Sequence, residues 1–126
     1  MKNTLQQALV HDFPNLYRLV NEPTPDGTPF SPMKFGFECG DGWEPVIRRL
    51  SEKLEPLGIE AHQVKEKFGG LRFYVGPASE EALDLIEEAE SLSLMTCEEC
   101  GGLGNTGEDR GWITTLCDAC RKSKAP

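Results

Sequence analysis

The sequence predicts an α+β fold: helices packed on a small antiparallel β-hairpin sheet, with a C-terminal four-cysteine zinc module of ribbon or treble-clef-like form. Three observations carry this. Residues 41–57 and 79–95 place apolar residues on one stripe at helical spacing. Residues 60–75, EAHQVKEKFGGLRFYV, alternate about a Gly-Gly pair as a hairpin does. Cys97, Cys100, Cys117 and Cys120 form two Cys-x2-Cys pairs separated by sixteen residues. A chain of 126 residues is one domain, or one domain plus a small module. The division expected is an α+β domain over 1–94, with a loop at 21–33, and a zinc module over 95–126.

Taken in order, residues 4–12 are expected to be a short helix. Thr4 is its cap, with Gln7 three positions on. Pro14 interrupts it, and residues 16–20 suit another turn or two. NEPTPDGTPFSP holds four prolines in twelve residues and reads as loop. Residues 34–39 suit a short strand. The 41–57 helix buries Trp43, Val46, Ile47, Leu50, Leu54 and Leu57, and Pro56 and Gly58 end it.

A Gly69-Gly70 turn would set Phe68 opposite Leu71, Lys67 opposite Arg72 and Lys65 opposite Tyr74. One hairpin face then carries Val64, Phe68, Leu71, Phe73 and Val75, and the other Lys65, Lys67, Arg72 and Tyr74. Ser79 caps the last long helix, with Glu80 and Glu81 well placed against its dipole. Its buried stripe is Ala82, Leu85, Ile86, Ala89 and Leu92.

The four paired cysteines are the expected ligands of one structural Zn²⁺. Two residues between thiols suit a tight turn that aims both sulfurs at one ion, and four thiolates close a tetrahedral site. Gly101 and Gly102 suit a knuckle folded under the metal. With sulfur at every position there is no place for a reactive water, so catalytic zinc is disfavoured. The fifth cysteine, Cys39, is read as a small core residue, since a nucleophile needs a nearby base and His11 and His62 are remote in sequence. No Walker loop, GxGxxG, HExxH or GxSxG occurs. The expectation is a protein with no catalytic residues and no enzymatic activity.

Charge shapes the partner expectation. The formal charge is −8, and four zinc-bound thiolates would take the loaded protein to about −10. Such a surface repels phosphate backbones, which disfavours direct nucleic-acid binding and favours a protein partner with a basic surface. No Lys or Arg occurs from Phe73 to Asp109. Glu80, Asp84, Glu87 and Glu88 therefore form either a docking face or a plain solvated one. Lys65, Lys67 and Arg72 form either a partner- or anion-binding patch or a face neutralised within the fold. Binding of nucleic acid through that basic face is the alternative function. The chain has no apolar run of signal-peptide or membrane-span length, so the cytoplasm is the expected compartment.

The segments CGDGWEPVIRRL, VKEKFGGLRFYV and TCEECGG…GWITTLCDAC together resemble a group of small uncharacterised proteins of phages and prophages, over roughly residues 35–121. The resemblance implies a phage-type interaction protein that inhibits or modulates a host nucleic-acid-handling complex, as anti-CRISPR and other anti-defence proteins do. A narrower resemblance is to the DksA/TraR family of transcription regulators. It is limited to Cys97, Cys100, Gly101, Cys117 and Cys120, and implies a transcription-associated zinc protein. The residues between the pairs depart from that family's pattern.

Overall fold

A computed structural model describes residues 1–27 and 31–124; part of the expected 21–33 loop and the last two residues of the 95–126 module lie outside the described residues. Helix α1 (Asn3–Asp12) leads through a 3₁₀ turn at Arg18–Val20 and another at Pro32–Phe35 into strand β1 (Phe37–Glu38). Helix α2 (Glu44–Leu54) follows, then β2 (Ala61–Lys67), β3 (Gly70–Val75) and α3 (Glu80–Ser93). The C-terminal part holds β4 (Asn105–Asp109), β5 (Trp112–Leu116) and α4 (Asp118–Lys124). The α+β class is as expected, with one addition. The hairpin β2–β3 gains β1 as a parallel edge strand, Phe37 lying beside Val64 and Glu38 beside Lys65. No helix among the described residues is long and apolar enough to cross a membrane.

Several boundaries differ from the sequence reading. Helix α1 starts at Asn3 and Thr4 lies inside it, so Thr4 is not the cap; the cap position is Lys2, whose side chain makes no capping hydrogen bond. The 34–39 strand shrinks to two residues, because Ser31 caps a 3₁₀ turn over Pro32–Phe35, its Oγ accepting from the Met33 amide at 3.1 Å. The 41–57 helix is α-helical only in its middle, with 3₁₀ turns at Asp41–Trp43 and Glu55–Leu57. Leu57 and Leu92, expected inside, are more than a third exposed. Ser79 does cap α3, accepting from the Ala82 amide at 3.2 Å.

Helices α2 and α3 cover one face of the three-stranded sheet. Val64, Leu71 and Phe73 meet Ile47, Leu50, Leu54, Ala82, Ile86 and Ala89 there. Tyr17 is fully buried among them, edge-on to Phe37 at 4.9 Å, and its hydroxyl shares a 2.5 Å hydrogen bond with Ser51 Oγ. A buried phenol needs such a partner to offset its lost hydration.

Both edges of this sheet are covered. At β1, Gln6 Oε1 accepts from the Phe37 amide at 2.9 Å. At β3, the Leu71 amide donates to Ser93 Oγ at 2.9 Å and the Phe73 amide to Glu90 Oε2 at 3.0 Å. Glu90 and Ser93 thus take up strand donors that would otherwise face outward.

The hairpin register is a correction. The pairs are Lys67↔Gly70, Glu66↔Leu71, Lys65↔Arg72, Val64↔Phe73 and Gln63↔Tyr74. The two-residue turn is Phe68-Gly69, with φ of 53° and 83°. Pairing slides by two residues, which keeps every strand side chain on its expected face. Phe68 alone changes place: it leaves the core face and sits 65% exposed at the tip.

Candidate metal centre and the charged faces around it

The first cysteine pair lies in a tight turn after α3. The Gly101 amide donates to the Cys97 carbonyl at 2.9 Å, and the Cys97 amide to the Gly102 carbonyl at 2.8 Å. The hairpin β4–β5 then carries the chain back, and Cys117 and Cys120 flank and enter the first turn of α4. Knuckle, hairpin and short helix in that order make the module treble-clef-like; a plain ribbon has no such helix. Arg121 locks the arrangement. Its guanidinium donates to Asp109 Oδ2 at 2.6 Å, Thr114 Oγ1 at 3.2 Å and the Asn105 carbonyl at 2.8 Å.

The four thiol sulfurs lie within 4.8 Å of one another, and Cys100 Sγ and Cys117 Sγ are 3.7 Å apart. A tetrahedron of sulfurs at the Zn–S distance has an edge of about 3.8 Å. The cluster therefore has the size a four-thiolate metal site requires. Backbone amides add support: Gly102 donates to Cys100 Sγ and Cys120 to Cys117 Sγ, each at 3.4 Å. Burial pushes the Cys97 thiol up, but the amides of Cys100, Cys117 and Glu99 outweigh it and bring the thiol down to about 6. Cys120, beside Cys117 and Cys97, is pushed up to about 12. One thiolate suppresses ionisation of its neighbours unless a cation joins them. The cluster can hold a metal ion, with Cys97 as its buried anchor and Cys100 on the exposed side.

The module is fastened to the rest of the chain at three points. The buried indole of Trp43 donates to the Thr96 carbonyl at 2.8 Å. The Gly42 amide donates to the Glu98 carbonyl at 2.8 Å, and the Gly40 amide to Glu98 Oε2 at 2.8 Å. Fully buried Thr115 donates to the Gly69 carbonyl at 2.6 Å. A Cβ at position 42 would stand 2.2 Å from the Cys97 carbonyl oxygen, and one at position 40 would stand 2.3 Å from that of Glu98. The Gly-Asp-Gly-Trp segment is thus shaped to receive the knuckle. Sequence reading noted the motif without finding this role; paired glycines beside a tryptophan were the only signal.

Cys39 is buried, and burial first, then Glu98, push its thiol up to about 12. His11 contacts Asp12, and His62 lies 3.6 Å from Glu60; neither hydrogen-bonds Cys39. Glu80, Asp84, Glu87 and Glu88 are exposed on the outer side of α3, and none forms an ion pair among the described residues. Lys65, Lys67 and Arg72 share the sheet face turned away from the helices, and they too form no ion pair among the described residues. Lys65, not Lys67, stands opposite Arg72, because the turn sits one residue earlier. Among the described residues no ion pair joins these cations to the acidic residues of α3.

Comparison with protein-family models, curated proteins and solved structures gave no match to this chain.

Proposed function

We propose that this is a non-enzymatic, phage-type interaction protein whose C-terminal module is held by one structural Zn²⁺. The observation that carries the reading is the sulfur-only cluster. Four thiols within 4.8 Å of one another, Cys100 and Cys117 at 3.7 Å, suit zinc, and four sulfur ligands would leave it no open coordination position. Cys39, the remaining thiol, is buried and un-ionised near neutrality, which suits packing better than nucleophilic chemistry. Function on this reading lies in surfaces. The unpaired carboxylates of Glu80, Asp84, Glu87 and Glu88 suit a protein partner with a basic surface, and the resemblance to phage proteins suggests a host nucleic-acid-handling complex, anti-defence inhibition being the leading case. The expected setting is the cytoplasm.

Two measurements test this. Elemental analysis of the purified chain should give about one zinc, and serine at Cys97 or Cys117 should abolish it; a folded, metal-free preparation would sink the zinc assignment. Affinity capture from a bacterial lysate should retain a nucleic-acid-handling complex. An E80Q/D84N/E87Q/E88Q variant should lose it at unchanged melting temperature. Equal capture by the variant rules out the acidic face.

A further inference from the structure

The open face of the sheet carries rings as well as cations. Tyr74 is 43% and Phe68 65% exposed. Lys65 Nζ lies 5.8 Å from the Tyr74 ring centroid, and Lys67 Nζ lies 5.6 Å from that of Phe68. A Cβ at Gly70 would stand 2.9 Å from Arg72 Nη1, so the Arg72 guanidinium lies over Gly70, the cross-strand partner of Lys67. Three cations therefore run along β2–β3 with an aromatic ring at each end. On β1, Glu38 shares this face beside Lys65, forms no ion pair among the described residues, and bounds the patch on that side.

Phe68 has a second oddity. It occupies the first central position of its turn at φ 53°, a left-handed conformation that costs a non-glycine residue energy. Asn-Gly is the usual pair at such a turn. Holding a large apolar ring there, exposed, recovers nothing by burial. Thr115 and Glu66 hold the turn through Gly69, but neither contact needs a ring at position 68, and an exposed ring there is a reason to look for an external contact.

We infer that this face binds single-stranded nucleic acid, with Phe68 and Tyr74 stacking bases and Lys65, Lys67 and Arg72 meeting phosphates. Exposed rings beside cations on a β-sheet are how sheet-based domains hold unpaired strands. Both sheet edges are closed, so a partner cannot add a strand and must lie across the face. A duplex offers no free base faces to the rings. The overall negative charge opposes long polyanions, but among the described residues no carboxylate of α3 forms an ion pair with these cations. At physiological salt, charges beyond about 8 Å are largely screened.

The test is fluorescence anisotropy of the zinc-loaded full chain with labelled oligo(dT) and oligo(U) of about ten nucleotides, alongside a duplex of equal length. Single strands should bind at least tenfold more tightly than the duplex, and comparing the two oligomers separates DNA from RNA preference. Three phosphate contacts predict a slope of log K against log salt of about −2. K65A/K67A/R72A should bring that slope close to zero. Y74S should weaken binding about 5- to 100-fold, and so should F68N. Since asparagine suits this turn better than phenylalanine, F68N should also keep or raise the melting temperature, which separates ring loss from misfolding. No binding, equal binding of the duplex, or binding unmoved by F68N and Y74S would overturn the inference. Displacement by poly-glutamate at equal charge concentration would overturn it too, in favour of an acidic protein partner.

Discussion

Gly42 shows how much one missing side chain decides. Its backbone touches the Cys97–Gly102 knuckle so closely that alanine would overlap the Cys97 carbonyl oxygen. G42A should cost at least about 1–3 kcal/mol, as overpacked sites do, and weaken metal binding, because the knuckle cannot stay both docked and shaped. A chelator competition read beside a thermal melt checks both. Trp43, next in the chain, is wholly buried, and W43A should cost about 3–5 kcal/mol. Cys39 gives a prediction in pH. Its native thiol ionises near 12, against about 8.5 in an unfolded chain. Between those values the native state holds the extra proton, so stability present below about pH 8.5 declines as pH rises. C39A should flatten that alkaline decline. Native Cys39 should also resist iodoacetamide at pH 8 and react once the chain is denatured.

At the scale of elements, the two hairpins repeat one device. Both turn on a non-glycine residue followed by glycine, each in the left-handed region: Phe68-Gly69 and Arg110-Gly111. F68N should relieve about 1 kcal/mol of backbone strain, measurable in a urea melt. Legibility also differs most between elements. The Ser79 cap, the stripes of α2 and α3 and the cysteine pairs could be read directly, because each rests on local spacing. The register of β2–β3 could not. A turn at Gly69-Gly70 or at Phe68-Gly69 puts the same strand residues on the same faces, so the hydrophobic pattern cannot separate them. Contacts distant in sequence occupy the turn as found: Thr115 bonds the Gly69 carbonyl, and the Gly69 amide bonds Glu66 Oε2 at 2.7 Å. Strand β1 was legible as a short strand within 34–39, but its two-residue extent and parallel pairing were not, for a like reason. Its two residues are set by pairing with β2 and by Gln6 of α1, not by their own propensity.

For the whole molecule, the three fastenings would tie the filling of the cysteine cluster by a metal ion to the body. The indole bond to Thr96 makes Trp43 a reporter of that coupling, while Trp112 is 76% exposed. In a W112F background, removing the metal should shift Trp43 emission to the red and lower the melting temperature, and adding Zn²⁺ back should reverse both. Unchanged emission would mean that the body holds Trp43 without the module. Acid should act as a chelator does, since protons compete with the metal for thiolates. The segregation of charge was legible in the sequence as runs of one sign. That no ion pair among the described residues joins the cations of β2–β3 to the carboxylates of α3 was not, because it depends on which side of the sheet the helices occupy.

The closed sheet edges have a consequence for failure. Chains that lose a cofactor often aggregate by pairing exposed strands. Here Gln6 covers one margin and Ser93 and Glu90 the other, and none of them is a metal ligand. For this sheet, strand pairing is therefore a poor route to aggregation, and a chain stripped of its ion should fail first through its freed thiols, forming mixed disulfides and covalent oligomers that a reductant dissolves.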